Sequence, residues 1–154
     1  MHPNYPLIYW EDISLNDEFL SLSRTITEAD IANMAGLLGW YDPLHTDEEY
    51  CKGTLFGKRV AQGLLGLNLS NGLMRGCIDH PGGLVAIAAF LEIQWKFLKP
   101  MFIGDTIFIR MRVQEKKETK HPDRGIVVFG CEVIRENGET LQKGRKTYLI
   151  HRKP

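Results

Sequence analysis

Asp42 and His45 lie three residues apart in the stretch Trp40-Tyr41-Asp42-Pro43-Leu44-His45. A carboxylate and an imidazole on one short loop can share proton work, one taking a proton while the other delivers it. By spacing alone a single histidine in a polar loop is more often solvated or capping than catalytic, and Asp before Pro is equally at home starting an Asx turn. Trp40 and Tyr41 either cover the core or line an apolar pocket beside the pair. Thr46-Asp47-Glu48-Glu49 reads as a capping box with Thr46 as the cap, so a short helix is expected immediately after His45.

The elements that must position this loop follow from periodicity. Leu20, Leu22 and Ile26 alternate with Ser21, Ser23 and Thr25, which predicts a first strand with one buried face. Thr27 caps a predicted helix on which Ile31, Met34, Ala35 and Leu38 share a face, with Glu28 and Asp30 in its first turn and Gly39 at its end. From Val60 to Arg75 leucines fall on nearly every side, which predicts a helix surrounded by protein. Its glycines, Gly63, Gly66 and Gly72, mark places where a backbone or ligand comes close. After Pro81-Gly82-Gly83 the texture changes to strands: one or two over 84–97, a clear alternation at Ile107, Ile109, Met111 and Val113, then 126–135 and 140–152 joined by a tight hairpin at Asn137-Gly138. One buried helix followed by an antiparallel meander gives a sheet wrapped around that helix. This is an α+β chain with a hot-dog fold, read as one domain over residues 1–154. Exposed strand edges in such a sheet lead us to expect a homodimer or a higher homo-oligomer.

Composition narrows the field. The 154 residues carry nineteen Lys plus Arg and nineteen Asp plus Glu, so no global field favours nucleic acid or an acidic membrane. Cys51, Cys77 and Cys131 are odd in number and far apart, which suits neither a disulfide framework nor a zinc site, and buried reduced thiols are expected. The first six residues lack the pattern of a secretory signal, and no apolar run approaches the roughly 20 residues that span a bilayer, so a cytoplasmic protein is expected. Nothing in the sequence points to a metal, flavin or nicotinamide cofactor.

Several segments together resemble the MaoC-like (R)-specific enoyl-CoA hydratases: Tyr9-Trp10-Glu11-Asp12-Ile13, Gly39 to Asp47, Phe56 to Leu65, and Phe97-Leu98-Lys99-Pro100 through Asp105. The resemblance implies a hot-dog fold and an acyl-CoA or acyl-carrier thioester as substrate, with water added across the conjugated double bond. In that family a Gly-Asp-x-Asn-Pro-x-His loop supplies the catalytic pair, and the head of the glycine-rich helix helps hold the thioester carbonyl. Carried over by position, His45 matches the family histidine, Pro43 the proline and Gly63 the glycine. Trp40 stands where the family has its catalytic aspartate, Asp42 where it has asparagine, and Gln62 where histidine is common. The candidate catalytic residues are therefore His45 and Asp42, and the candidate substrate-binding residues Gly63, Gln62, Trp40 and Tyr41.

Three readings stay open at this stage. Asp42 has taken over the carboxylate role, His45 acts alone or in another thioester chemistry, or the site binds acyl thioesters without turnover. A hot-dog thioesterase is the rival enzyme, but Ala61 to Met74 contains no carboxylate of the kind such enzymes place on the central helix. Among the basic residues, Lys116, Lys117, Lys120 and Arg124 flank one turn, and Lys143, Arg145, Lys146, Arg152 and Lys153 lie on the last strand. They read first as a charged edge that discourages aggregation and second as a seat for coenzyme A phosphates. Asn68, Ser70 and Asn71 on the apolar helix require buried partners.

Overall fold

In a computed structural model, residues 6–74 and 84–154 are described. Cys77, Pro81-Gly82-Gly83 and the extreme N-terminus lie outside the described residues. The main sheet holds strands β2 (Glu18–Leu20), β3 (Arg24–Thr25), β5 (Ile87–Phe97), β6 (Thr106–Glu118), β7 (Arg124–Arg135) and β8 (Thr140–His151). Its order is β2-β6-β7-β8-β5, with β3 also paired to β6, and every pairing is antiparallel. Two short strands, β1 (Leu7–Ile8) and β4 (Leu84–Val85), pair in parallel beside it. The helix α4 (Gly63–Met74) lies against β6 and β7, and the sheet curls about it. This is the hot-dog arrangement.

The long strands follow from their alternation. On β6, Ile107, Ile109, Met111 and Val113 are all buried, and on β7 so are Val127, Phe129, Cys131 and Val133. Helix α1 (Glu28–Leu38) starts as its residues require: Thr27 and Asp30 form a reciprocal capping box, and Gly39 closes the helix in the left-handed region at φ 65°. Asn137-Gly138 makes the β7–β8 turn, with Gly138 at φ 89°.

Four expectations change. The first strand is not one alternating run. Phe19 and Ser21 point inward while Leu20 and Leu22 are exposed, the reverse of the expected face. Phe19 packs edge-on against Phe129, and Ser21 replaces a ladder partner, its hydroxyl accepting from the Ile109 N–H at 2.8 Å while its own N–H donates to the Ile109 carbonyl. A large aromatic seated in the core and a locally satisfied serine outweigh two leucines. The short helix after His45 is α3 (Glu48–Lys52), and its cap is Asp47, not Thr46. Thr46 ends α2 (Pro43–Thr46) and donates back to the Asp42 carbonyl. Helix α4 begins at Gly63 instead of Val60, because Val60 and Ala61 give their N–H groups to Leu44 and Met101. Nor is α4 enclosed on all sides: Leu64 and Asn68 are exposed.

Lys146 is the fourth correction. It belongs to no surface edge but is fully buried beneath α4, on the inward side of β8 with Gln142 and Tyr148. Its ammonium donates to the Ser70 hydroxyl at 2.5 Å and to Asn71 Oδ1 at 2.7 Å, and it stands over the Trp95 ring. Ser70 and Asn71 thus have the buried partner they require. Burial pushes the Lys146 ammonium below its ordinary pKa, opposed by the neighbouring Cys131.

Candidate active site

The loop after α1 is built from backbone and capping contacts. Asp42 caps α2: its Oδ1 accepts from the Leu44 N–H at 2.9 Å, and Pro43 occupies the first helical position, where a missing N–H is harmless. Cys51, wholly buried on α3, donates to the Pro43 and Leu44 carbonyls and holds the two short helices together. Burial, together with Glu48 and Asp47, pushes its thiol up, which disfavours the thiolate. Arg59 spans Glu28 of α1 and Glu48 of α3 and ties the loop to its neighbours.

His45 is held in place by this scaffold. Its ring is 6% exposed, and Nδ1 lies 2.7 Å from the Val60 carbonyl. A carbonyl only accepts, so Nδ1 carries a proton, and in the neutral ring the lone pair falls to Nε2. The Val60 N–H in turn donates to the Leu44 carbonyl, so Val60 is bonded on both sides to the histidine's own segment. Trp40 stands edge-on to the imidazole, ring centres 5.3 Å apart.

These residues surround a cleft of about 450 Å³. Trp40, Asp42, His45 and Gly63 all line it, and the loop is thereby brought to the head of α4. The first N–H groups of a helix have no intrahelical partner, and they are the donors available to an oxygen bound there. The other two expected binding residues lie elsewhere. Gln62 is fully buried and donates to the Ile31 carbonyl of α1, and its Oε1 has no hydrogen-bond partner among the described residues. Tyr41 is exposed, with its hydroxyl against Gly36 of α1. The cleft residues not singled out from sequence include Phe97, at the end of β5, and Gln142, its cross-strand partner on β8. The signal for Gln142 was available, since it shares the inward phase of Tyr148 and Ile150.

Lys99 lines this cleft, but the basic residues of the β6–β7 turn and the last strand do not. Lys116 folds over Trp10 and donates to the Trp10 and Ile13 carbonyls, while Lys117 and Arg145 pair with Glu115, Arg124 with Asp123, Arg152 with Glu11 and Lys153 with Asp12. Among the described residues no group of three His, Cys, Asp or Glu side chains could hold a metal ion. No described helix is long and apolar enough to cross a membrane.

A sheet wrapped on one helix, with a loop histidine buried beside that helix's first turn, defines a hot-dog protein with a candidate acid–base site. More narrowly, the MaoC like domain matches residues 14–133, and the chain belongs to that family. An (R)-specific enoyl-CoA hydratase of Rhodospirillum rubrum is 35% identical over 146 residues, covering 94% of this chain and 92% of the relative. In structure, the chain is similar to a monoamine oxidase regulatory protein of Archaeoglobus fulgidus, at TM-score 0.87 and 36% identity with 97% of each chain covered. It is also similar to a MaoC-like dehydratase of Rhodospirillum rubrum, at TM-score 0.79 and 25% identity with 96% and 99% covered.

Proposed function

We propose that the protein hydrates enoyl thioesters, and dehydrates the corresponding 3-hydroxyacyl thioesters, with His45 as the principal base. The observation that carries this reading is the buried imidazole whose Nδ1 is held by the Val60 carbonyl, in one cleft with the head of α4. In the hydration direction Nε2 takes a proton from water, the water oxygen bonds to the β-carbon, and negative charge moves to the thioester oxygen. N–H groups at the start of α4, Gly63 among them, receive that charge. Return of a proton to the α-carbon completes the addition, with no net oxidation or reduction. The carboxylate of Asp42, in the same cleft and using only Oδ1 for its cap, assists in the proton transfers. The relatives named as hydratase and dehydratase support the reaction class.

A purified sample is expected to consume crotonyl-CoA, read as loss of the conjugated absorbance without release of free thiol. Free thiol would mean a thioesterase instead. Asp42→Asn separates the two tasks of that residue. Asparagine caps a helix about as well as aspartate, so the melting temperature is expected to stay put while the hydration rate falls at least tenfold. Full activity in Asp42→Asn would leave His45 working alone.

Trp40, where the family has its aspartate, favours a second reading in which the cleft binds acyl thioesters without turning them over. Tight binding of butyryl-CoA with no consumption of crotonyl-CoA would select it.

A homodimer is part of the proposal. β5 is an edge strand of the sheet, and it carries Phe90, Leu91, Ile93 and Phe97 exposed along its length. Covering that strand with a second copy removes both an unpaired edge and an apolar patch. Light scattering is expected to give twice the 17.6 kDa chain mass, and a monomer at micromolar concentration would exclude this arrangement.

A further inference from the structure

On the outer face of the sheet, the residues that alternate with the buried ones of β6, β7 and β8 line a second concavity, of about 780 Å³. Strand register lays out its floor. Gly130 of β7 stands between Arg112 of β6 and Arg145 of β8. In the next outward row Glu132 stands between Arg110 and Lys143, with Lys96 of β5 beyond Lys143. Gly130 has no side chain to fill the middle, and the Gln114 side chain lies over its bare backbone.

Five cations, Lys96, Arg110, Arg112, Lys143 and Arg145, line the concavity against two carboxylates, Glu18 and Glu132. Arg110 and Arg112 share Glu18, Arg110 also reaches Glu132, and Arg145 turns to Glu115. Lys96 and Lys143 have no carboxylate partner among the described residues, and they lie directly opposite each other across β5 and β8. Like charges so placed repel and weaken the sheet. Protection of a sheet edge does not account for them all, because β6 and β8 are interior strands. An anion between the two ammonium groups turns their repulsion into attraction. With strands about 4.8 Å apart, the arginines flanking Gly130 stand roughly 10 Å apart, and the lysine pair lies roughly 7 Å along from them. One phosphate reaches only part of that span, whereas two linked phosphates reach both rows.

We propose that this outer concavity binds a free small molecule carrying two linked phosphates, held by Lys96, Lys143 and the arginines beside Gly130. Phe97 and Gln142, which line the cleft, are the sequence neighbours of Lys96 and Lys143 and face the opposite side of the sheet. The sheet therefore separates this concavity from the cleft, and its occupant is a second molecule, distinct from the thioester beside His45. The proposal does not depend on whether the cleft turns over enoyl thioesters.

Equilibrium dialysis with pyrophosphate and with inorganic phosphate, at about 0.15 M salt, tests this. Wild type is expected to bind pyrophosphate with a submillimolar Kd and phosphate at least about tenfold more weakly. Lys96→Glu is expected to weaken pyrophosphate by about tenfold or more. That exchange sets opposite charges across β5 and β8, so the sheet is kept. Lys120→Glu, on the turn between β6 and β7, makes the same change in net charge away from the concavity and is expected to leave the Kd within about twofold. Absence of pyrophosphate binding overturns the proposal. Equal losses in the two variants also overturn it, by tracing the binding to the general field of the chain. Saturating butyryl-CoA is expected to leave bound pyrophosphate in place; displacement would assign the site to the phosphates of the thioester itself and exclude a second ligand.

Discussion

Replacement of His45 by glutamine is expected to lower the rate of crotonyl-CoA hydration about a thousandfold, in the middle of the range for loss of a positioned general base. Glutamine is close in size to histidine and can still donate to the Val60 carbonyl, so the fold and the loop survive. What it lacks is a basic nitrogen. The kinetic signature separates this from damage to binding: kcat falls, while the Kd for butyryl-CoA stays within a few-fold of wild type. A weaker Kd with unchanged kcat would place His45 in substrate binding alone, and no change in either would remove it from the reaction.

The second large effect concerns stability. Lys146 is fully buried, its ammonium donates to the neutral partners Ser70 and Asn71, and no carboxylate among the described residues pairs with it. Burying a charge that has no counter-ion costs several kcal/mol, and exchanging such a group for an apolar one of similar length is often stabilising, by about 1–4 kcal/mol. Lys146→Met fills the same volume. It frees Ser70, which still donates to the Leu67 carbonyl, and half-buried Asn71, which water can reach. The variant is therefore expected to be more stable than wild type at neutral pH.

Its pH dependence has a definite sign. Burial lowers the folded-state pKa of Lys146 below the ordinary lysine value of 10.5. Between those two values the unfolded chain holds more protons than the folded one, so wild-type stability rises with pH across that window. The benefit is complete above the unfolded value and is lost as pH falls through the folded one. Lys146→Met has no such group, so its advantage shrinks as the solution is made alkaline. Urea unfolding at neutral pH and near the ordinary lysine pKa measures both effects. An equal loss of stability at the two pH values would show that the hydrogen bonds to Ser70 and Asn71 outweigh the cost of the buried charge.

The parts legible in the sequence are those decided by neighbours along the chain. The Thr27 cap, the Gly39 stop, the Asn137-Gly138 turn and the alternation of β6 each depend on residues within a few positions. The parts that were not legible depend on distant partners. Nothing near Ser21 reveals that its hydroxyl will serve the Ile109 N–H, and that exchange turned Leu20 and Leu22 outward. Lys146 reads as one more cation on a charged last strand, and only its phase with Gln142 and Tyr148 hints that it lies inside. In the candidate site, sequence identified His45 and Gly63 but not the atom that orients the histidine. That atom is the carbonyl of Val60, and a carbonyl is carried by every residue type.

This last point bears on how the site can diverge. The proton on His45 is assigned by main chain, through a bond that no side-chain substitution at Val60 deletes. Trp40, Asp42 and Gln62 all depart from the family pattern, yet none of them is the recorded partner of Nδ1. A lineage can therefore exchange the carboxylate and the wall beside this imidazole one at a time while the main-chain contact to Nδ1 is retained. On the proposed mechanism, the orientation of this nitrogen thus depends on main chain and not on the identity of the side chain at position 60.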